Sequence, residues 1–387
     1  MKRTICLALI LSLVICSTIV GIAAENNSIE VSAENNLMEF TGEEIKLSLE
    51  DAKKMMLTQG VDFEIANLNL RANRAKTRHH FEEIARSWID PITRERRQPS
   101  RTTREMTDLS VEFAREQTPK NYEAELNKIT RNVVRDYYTL AHLKEAVRIS
   151  NENVAIQERV YQNTVNRVNL GIMARSDLLA AEIGLNEAKV RAESAEIGYA
   201  NLRMAFNIAF GYELIQNITL TDTLEEVEPS DISLEDAIAL ALENRNEIHG
   251  AAYNVKLKEL ELRETGNSFS RSSATYLNVA VALMGAQLAY DNAPKNVERD
   301  VRANYMDMIQ KHSEVELRKL GVANAKEVFR LTNLRFEAGM VTLVEVQQAQ
   351  LMAFNAELDY YKALLDYNLA IIDYELSTTV GIQTASF

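Results

Sequence analysis

Apolar positions recur every seven residues over most of this chain. Leu126, Val133, Leu140, Val147, Val154, Tyr161 and Val168 form one series; Val301, Met308, Val315, Val322, Phe329 and Phe336 form another. After a glycine a fresh series begins in each half. Leu178, Leu185, Ala192, Tyr199 and Phe206 follow Gly171, and Val346, Ala353, Tyr360, Tyr367 and Tyr374 follow Gly339. A companion row runs through Ile183, Val190, Ile197 and Met204, and again through Val344, Leu351, Leu358, Leu365 and Ile372. A 3.5-residue period sustained this long predicts helices that pack as left-handed coiled coils. The helix expected over 121–169 would be roughly 70 Å long at 1.5 Å per residue. It is too long to fold into a compact core, so it must pack along a partner as a hairpin. Gly171 and Gly339 mark the two tips, where glycine can end a helix in the left-handed conformation.

The chain repeats itself. Gly339 follows Gly171 by 168 residues, and the same offset pairs Ile129 with Val297, Val133 with Val301, Tyr137 with Tyr305, Asp177 with Glu345 and Tyr199 with Tyr367. Earlier in each half, Leu47-Ser-Leu-Glu-Asp-Ala52 is echoed by Ile232-Ser-Leu-Glu-Asp-Ala237 at an offset of 185. The first copy therefore holds 17 extra residues between its opening helix and its long helix. The expected organisation is a signal peptide over 1–24, an N-terminal extension over 25–45 and a first helical-hairpin repeat over 46–211. An acidic linker over 212–230, a second repeat over 231–381 and a tail over 382–387 complete it. The fold class is all-α: two tandem coiled-coil hairpins. Apolar rows on more than one face of each hairpin point to lateral self-association; a long monomeric or dimeric coiled coil is the alternative.

The first residues change the picture of where the chain goes. A basic start, an apolar stretch from Ile5 to Ala24 and small residues before Glu25 read as a secretory signal, with cleavage after Ala23 or Ala24. An uncleaved anchor is the alternative, since the run approaches the length of a bilayer span. A lipid attachment at Cys16 fits less well, because Ile15 stands where a small residue is wanted. Cys6 and Cys16 are the chain's two cysteines. Both fall in the signal, which leaves no thiol, disulfide or zinc chemistry for the exported part. The net charge of −13 argues against nucleic-acid binding, which calls for a basic face.

The tips carry a pattern: Arg167, Gly171 and Asp177 in the first half, Arg335, Gly339 and Glu345 in the second. Together with the duplicated Leu-Ser-Leu-Glu-Asp-Ala opening and the closing Tyr374-Glu-Leu and Gly381, this ordered set resembles the outer membrane efflux protein (TolC) family. The resemblance covers nearly all of the exported chain. It implies a homotrimer whose six hairpins form a twelve-helix tube, a trimeric α-barrel. The tips, at Arg167, Gly171, Arg335 and Gly339, would dock a periplasmic adaptor (membrane fusion) protein fed by an inner-membrane pump. Asp177 and Glu345 would line an acidic entrance gate. The protein would reside in the cell envelope, in the outer membrane where the cell has one.

Two departures stand against that pattern. The family's basic gating partner sits two positions after the second glycine; here that residue is Val341, which leaves Arg175 as the nearest substitute. The family also inserts two membrane strands per half. The first insert here, Arg86 to Lys120, holds Thr93-Arg-Glu-Arg-Arg-Gln-Pro-Ser-Arg-Thr-Thr-Arg104 and cannot face lipid. The second, Asn267 to Pro294, contains one apolar run, Ala274 to Tyr290, that suits a strand or a continuing helix. A membrane β-barrel is therefore expected to be absent or vestigial.

No nucleotide-binding, hydrolase or zinc-protease signature occurs, so an enzyme, a cofactor and a resident metal are not expected. His79, His80, Glu82 and Glu83 could share a helical turn with ligand-like spacing, but a solvated helix end accounts for them more simply. The basic stretch 71–104 could meet anionic headgroups at the tube's far end, or be a solvated connector. The rival reading of the whole is an exported coiled-coil scaffold with no channel.

Overall fold

The computed structural model describes residues 40–87, 100–229 and 231–385. The expected signal peptide and most of the expected N-terminal extension lie outside the described residues, as do residues 88–99. The elements in order are β1 (Thr41–Leu47), α1 (Leu49–Gln59), α2 (Val61–Ser87), α3 (Arg101–Asn169), α4 (Arg175–Ala209), β2 (Gln216–Leu220), α5 (Leu234–Asn244), α6 (Asn246–Ser268), α7 (Ala274–Glu337) and α8 (Leu343–Ser377).

The duplicated opening motif is a duplicated helix start. Ser48 and Ser233 cap α1 and α5; each hydroxyl accepts the N–H three residues on, from Asp51 at 3.1 Å and Asp236 at 3.2 Å. This satisfies a donor that the first helical turn cannot pair internally. In each repeat two short helices then lead to a long one, which reverses at the glycine tip into a helix of 35 residues. α4 packs back along α3, and α8 along α7. The 3.5-residue rows face inward as expected at Val133, Leu140, Val301, Met308, Val315, Phe206, Tyr367 and Tyr374, which are all buried in one core. The tyrosines at 367 and 374 are thus packing residues; Tyr374 lies 5.5 Å from Tyr305, ring to ring.

The long helices start earlier than the heptads suggested. α3 begins at Arg101 rather than near 121 and runs through Pro119. Its 69 residues give roughly 100 Å at 1.5 Å each. Proline removes one backbone donor, but packing outweighs the loss: Phe113 stacks on Tyr253 of α6 at 4.0 Å, and buried Gln117 donates to Asn246 at 2.7 Å. α7 begins at Ala274 and runs through Pro294 in the same way. The apolar run Ala274 to Tyr290 is therefore helix, and residues 269–273 alone connect α6 to α7. Five residues cannot form two membrane strands of about ten residues each. Among the described residues no helix is long and apolar enough to cross a membrane.

The linker is more than a tether. β2, inside 212–230, pairs in parallel with β1 at the end of the N-terminal extension, with Leu47 opposite Leu220 and Ile45 opposite Ile218. Fully buried Tyr137 donates its hydroxyl to the Leu47 carbonyl at 3.1 Å, and Asp222 accepts from the Leu49 N–H at 2.7 Å. Burial pushes the Tyr137 phenol well above its ordinary range. The two repeats meet where α8 lies on α3. Arg131 makes a double hydrogen bond to Asp373, buried Gln350 donates to Asn153 at 2.8 Å, and Arg148 reaches Glu357 at 3.3 Å.

Candidate functional site at the hairpin tips

Both tips are built by the same local chemistry. At the first, the Gly171 N–H bonds Val168 O at 2.9 Å and the Ile172 N–H bonds Arg167 O at 2.9 Å. At the second, Gly339 bonds Phe336 O at 2.9 Å and Met340 bonds Arg335 O at 2.8 Å. This paired closure needs a residue at positive φ, and Gly171 and Gly339 have φ of 73° and 75°. A Cβ at either would meet open space. Backbone conformation, not crowding, therefore demands glycine.

Asp177 and Glu345 sit at equivalent positions, three residues into the descending helices. Glu345 accepts the Thr342 N–H at 2.7 Å and its hydroxyl at 2.8 Å, while Thr342 Oγ1 accepts the Glu345 N–H at 3.3 Å. That is a complete capping box. The Thr342 N–H, then its hydroxyl, hold the Glu345 carboxyl below the usual carboxylate range. Asp177 accepts the Ala174 N–H at 3.1 Å. Ala174 has no side-chain acceptor to return, so that box is half made. Arg175 forms no ion pair with Asp177, because residues two apart on a helix point in different directions.

The position two after the second glycine, Val341, packs with Met173, Phe329, Tyr161 and Ala180 around buried Val160, Ala181, Phe336, Leu343 and Val346. This apolar cluster draws from both hairpins and stands where a gating salt link was looked for. Arg167 adds a polar tie between the tips. Its two terminal nitrogens donate to Phe336 O and Glu337 O at 3.0 Å each, and its guanidinium stacks 4.8 Å from the Phe336 ring. Those carbonyls belong to the last turn of α7, where the helix lacks donors and favours a cation. Arg335, its equivalent in the second repeat, is exposed and has no such partner among the described residues.

Sequence reasoning missed the apolar knobs at the tips. Leu170, Ile172, Met340 and Val344 are exposed large hydrophobics flanking the glycine turns, and apolar residues beside a turn glycine were the available signal. Among the described residues no group of three His, Cys, Asp or Glu side chains could hold a metal. Of the four residues considered for one, the side chains of His80, Glu82 and Glu83 lie outside the described residues.

No sequence-family model matches this chain, and no curated protein aligns with it. Solved structures do. A membrane protein from Pseudomonas aeruginosa superposes with a TM-score of 0.70 at 14% identity, over 86% of this chain and 90% of that one. The Campylobacter jejuni CmeC outer membrane channel gives 0.67 at 13% identity, over 88% and 87%. The Vibrio cholerae outer membrane protein VceC gives 0.64 at 10% identity, over 87% and 97%. At these identities the likeness is one of architecture: the chain has the fold of the TolC-like outer membrane channels.

Proposed function

We propose that this protein is a passive export duct of the cell envelope, a homotrimer of tandem hairpins. It serves an efflux pump or a type I secretion system through an adaptor protein that docks at the tips. The observation that carries this reading is the pairing of two near-identical glycine tips on one chain whose fold is that of outer membrane channels. The exposed Leu170, Ile172 and Met340 offer an adaptor the apolar anchors that interfaces favour. Arg167, Gly171, Arg335 and Gly339 shape the docking surface; Arg175, Asp177 and Glu345 lie at the entrance. Transport energy comes from the partner pump, and the duct itself catalyses nothing. The basic residues Arg71, Arg74, Lys76 and Arg78 are exposed on α2 and suit contact with anionic headgroups at the other end of the long helices.

The test is light scattering on the exported chain, followed by capture of the cognate adaptor. Three chain masses and an adaptor complex lost on Gly171→Val plus Gly339→Val support the reading. A monomer at micromolar concentration removes it and leaves a scaffold.

A further inference from the structure

Three amides on α3 do not follow the repeat. Counting 168 residues on from Gln117, Asn121 and Asn127 gives Gly285, Ala289 and Lys295, so the hairpin architecture does not call for amides there. What they hold is the tail of the chain. Gly381, at φ 78°, turns the backbone off the end of α8, and Asn127 donates to its carbonyl at 2.9 Å. Asn246, at the start of α6, donates to the Gln383 carbonyl at 3.0 Å. Asn121 meets Ala385 twice, donating to its carbonyl at 2.8 Å and accepting its N–H at 2.9 Å. Gln117 ties the set together, donating to Asn121 at 3.0 Å and to Asn246 at 2.7 Å.

This arrangement receives main chain rather than side chains. The held residues alternate at 381, 383 and 385, the period of an extended strand, and side-chain amides stand where a neighbouring strand would supply partners. Between the contacts, Ile382, Gln383 and Thr384 are exposed, and every one of these bonds to the tail ends on a backbone atom. The amides are built into the seam: Gln117 and Asn246 are each 1% exposed, and a buried amide is costly to leave without a partner. The track is also longer than its occupant. A groove of about 600 Å³ opens beside Ala385 and is lined along α6 by Gly250, Asn254 and Leu257. Leu257 lies about 10 Å past Gly250 along the helix, room for about three more extended residues.

We propose that the α3–α6 seam is a binding site for extended polypeptide, read through its main chain, and that residues 382–385 are its resident, displaceable occupant. Seated, the tail is a clasp. It joins α3 of the first repeat to α6 of the second, beside the stack of Phe113 on Tyr253. Released, it bares a row of amides and a groove longer than itself, so an extended segment of another polypeptide that also fills the Leu257 end competes with it. The N–H taken by Asn121 sets one restriction: proline cannot stand at the position of Ala385, because it has no N–H to give. The site engages none of the exposed apolar side chains of α7 (Leu277, Val281, Met284, Leu288) or α4 (Ile183, Val190, Ile197). It therefore holds whether or not the chain forms a duct.

A fluorescein-labelled peptide, Ile-Gln-Thr-Ala-Ser-Phe, tests this by fluorescence anisotropy. It should bind the chain ended after Gly381 at least tenfold more tightly than the full chain, where the tail competes. Proline at the position of Ala385 should abolish binding, while serine at the three positions before it should change the affinity less than threefold. Residues 25–387 contain no cysteine, so Gly250→Cys plus Ala385→Cys can lock the tail in place. A Cβ on Gly250 would lie 3.3 Å from the Ala385 Cβ, near disulfide spacing. That full chain should bind the peptide when reduced and at least tenfold more weakly when oxidised, with helical circular dichroism unchanged. A trimmed chain that keeps its helical signal yet ignores the peptide, or binding indifferent to oxidation, makes the tail a fixed strap and overturns the proposal. Binding that needs the three replaced side chains and tolerates the proline overturns main-chain recognition. If trimming unfolds the chain, the reduced and oxidised full chains decide between these outcomes.

Discussion

Glu345 holds a helix start and, in the proposed duct, carries a charge at the entrance, and single substitutions separate the two. Glutamine can still close the capping box, so Glu345→Gln should lower the thermal midpoint of the chain only slightly at neutral pH and lower cation preference in the proposed assembled tube. Glu345→Ala breaks the box and should lower the thermal midpoint more than Glu345→Gln does. The pH dependence follows from the sign of the shift. The folded carboxyl titrates below its ordinary 4.5, so its contribution is complete above that value and fades as pH falls through the lower folded one. A melting series from pH 5.5 to 3 should show this loss in the parent and a flatter profile in Glu345→Gln. At the turns, Gly171→Val and Gly339→Val force a β-branched residue to positive φ and should each cost about 1–3 kcal/mol. Because a Cβ there meets only open space, the effect should be confined to the tip and leave the helix content intact.

Between elements, Arg167 matters for what it joins. The sequence marked it as a surface tip residue; the structure turns it onto the end of α7, where it serves two carbonyls at once. Arg167→Ala should cost about 1–2 kcal/mol and speed amide exchange at residues 335–342. Arg167→Lys should rescue only part of it, since an ammonium lacks the planar fork. The α3–α8 seam holds a second sensitive group. Burial lowers the His142 pKa below 6.5, with Asp366 opposing the shift and Lys362 reinforcing it, and its Nδ1 lies buried without a partner. A depressed histidine keeps its full stabilising effect above its ordinary pKa and loses it as pH falls from 6.5 toward the folded value. Melting midpoints should therefore fall between pH 7 and 5.5, and His142→Asn should reduce that slope. The repeat, the tips and the inward heptad rows were legible because a period of 3.5 and a duplicated Ser-x-x-Asp cap are local patterns. The start of α3 was not, because Pro119 and a charged stretch hide a helix whose Phe113 and Gln117 are held by Tyr253 and Asn246 of the other repeat. Arg167's partner was equally hidden, since 169 residues separate it from Phe336 and only the packed hairpins bring them together.

At the scale of the whole molecule, the described residues leave little chain for membrane strands. Where two strands per repeat would be needed, the second repeat passes from α6 to α7 through residues 269–273, and the run from Ala274 onward is helix. In the first repeat α3 is already formed at Arg101, so the connection from α2 at Ser87 leaves only residues 88–99 between them. Twelve residues of mostly charged and turn-forming type fall short of two lipid-facing strands of about ten residues each. The exported protein should accordingly stay soluble without detergent, give circular dichroism dominated by helix, and scatter light as three chain masses under the same conditions. The bare rows on α7 and α4 should keep it assembled rather than aggregated, because apolar faces of this size are normally covered in a soluble protein. Detergent-dependent solubility together with a substantial strand signal would place a membrane barrel in this chain and refute the expectation. A soluble, helical trimer would instead make the far end a rim of the basic α2 residues and the bare α7 stripe, resting against an envelope rather than crossing it.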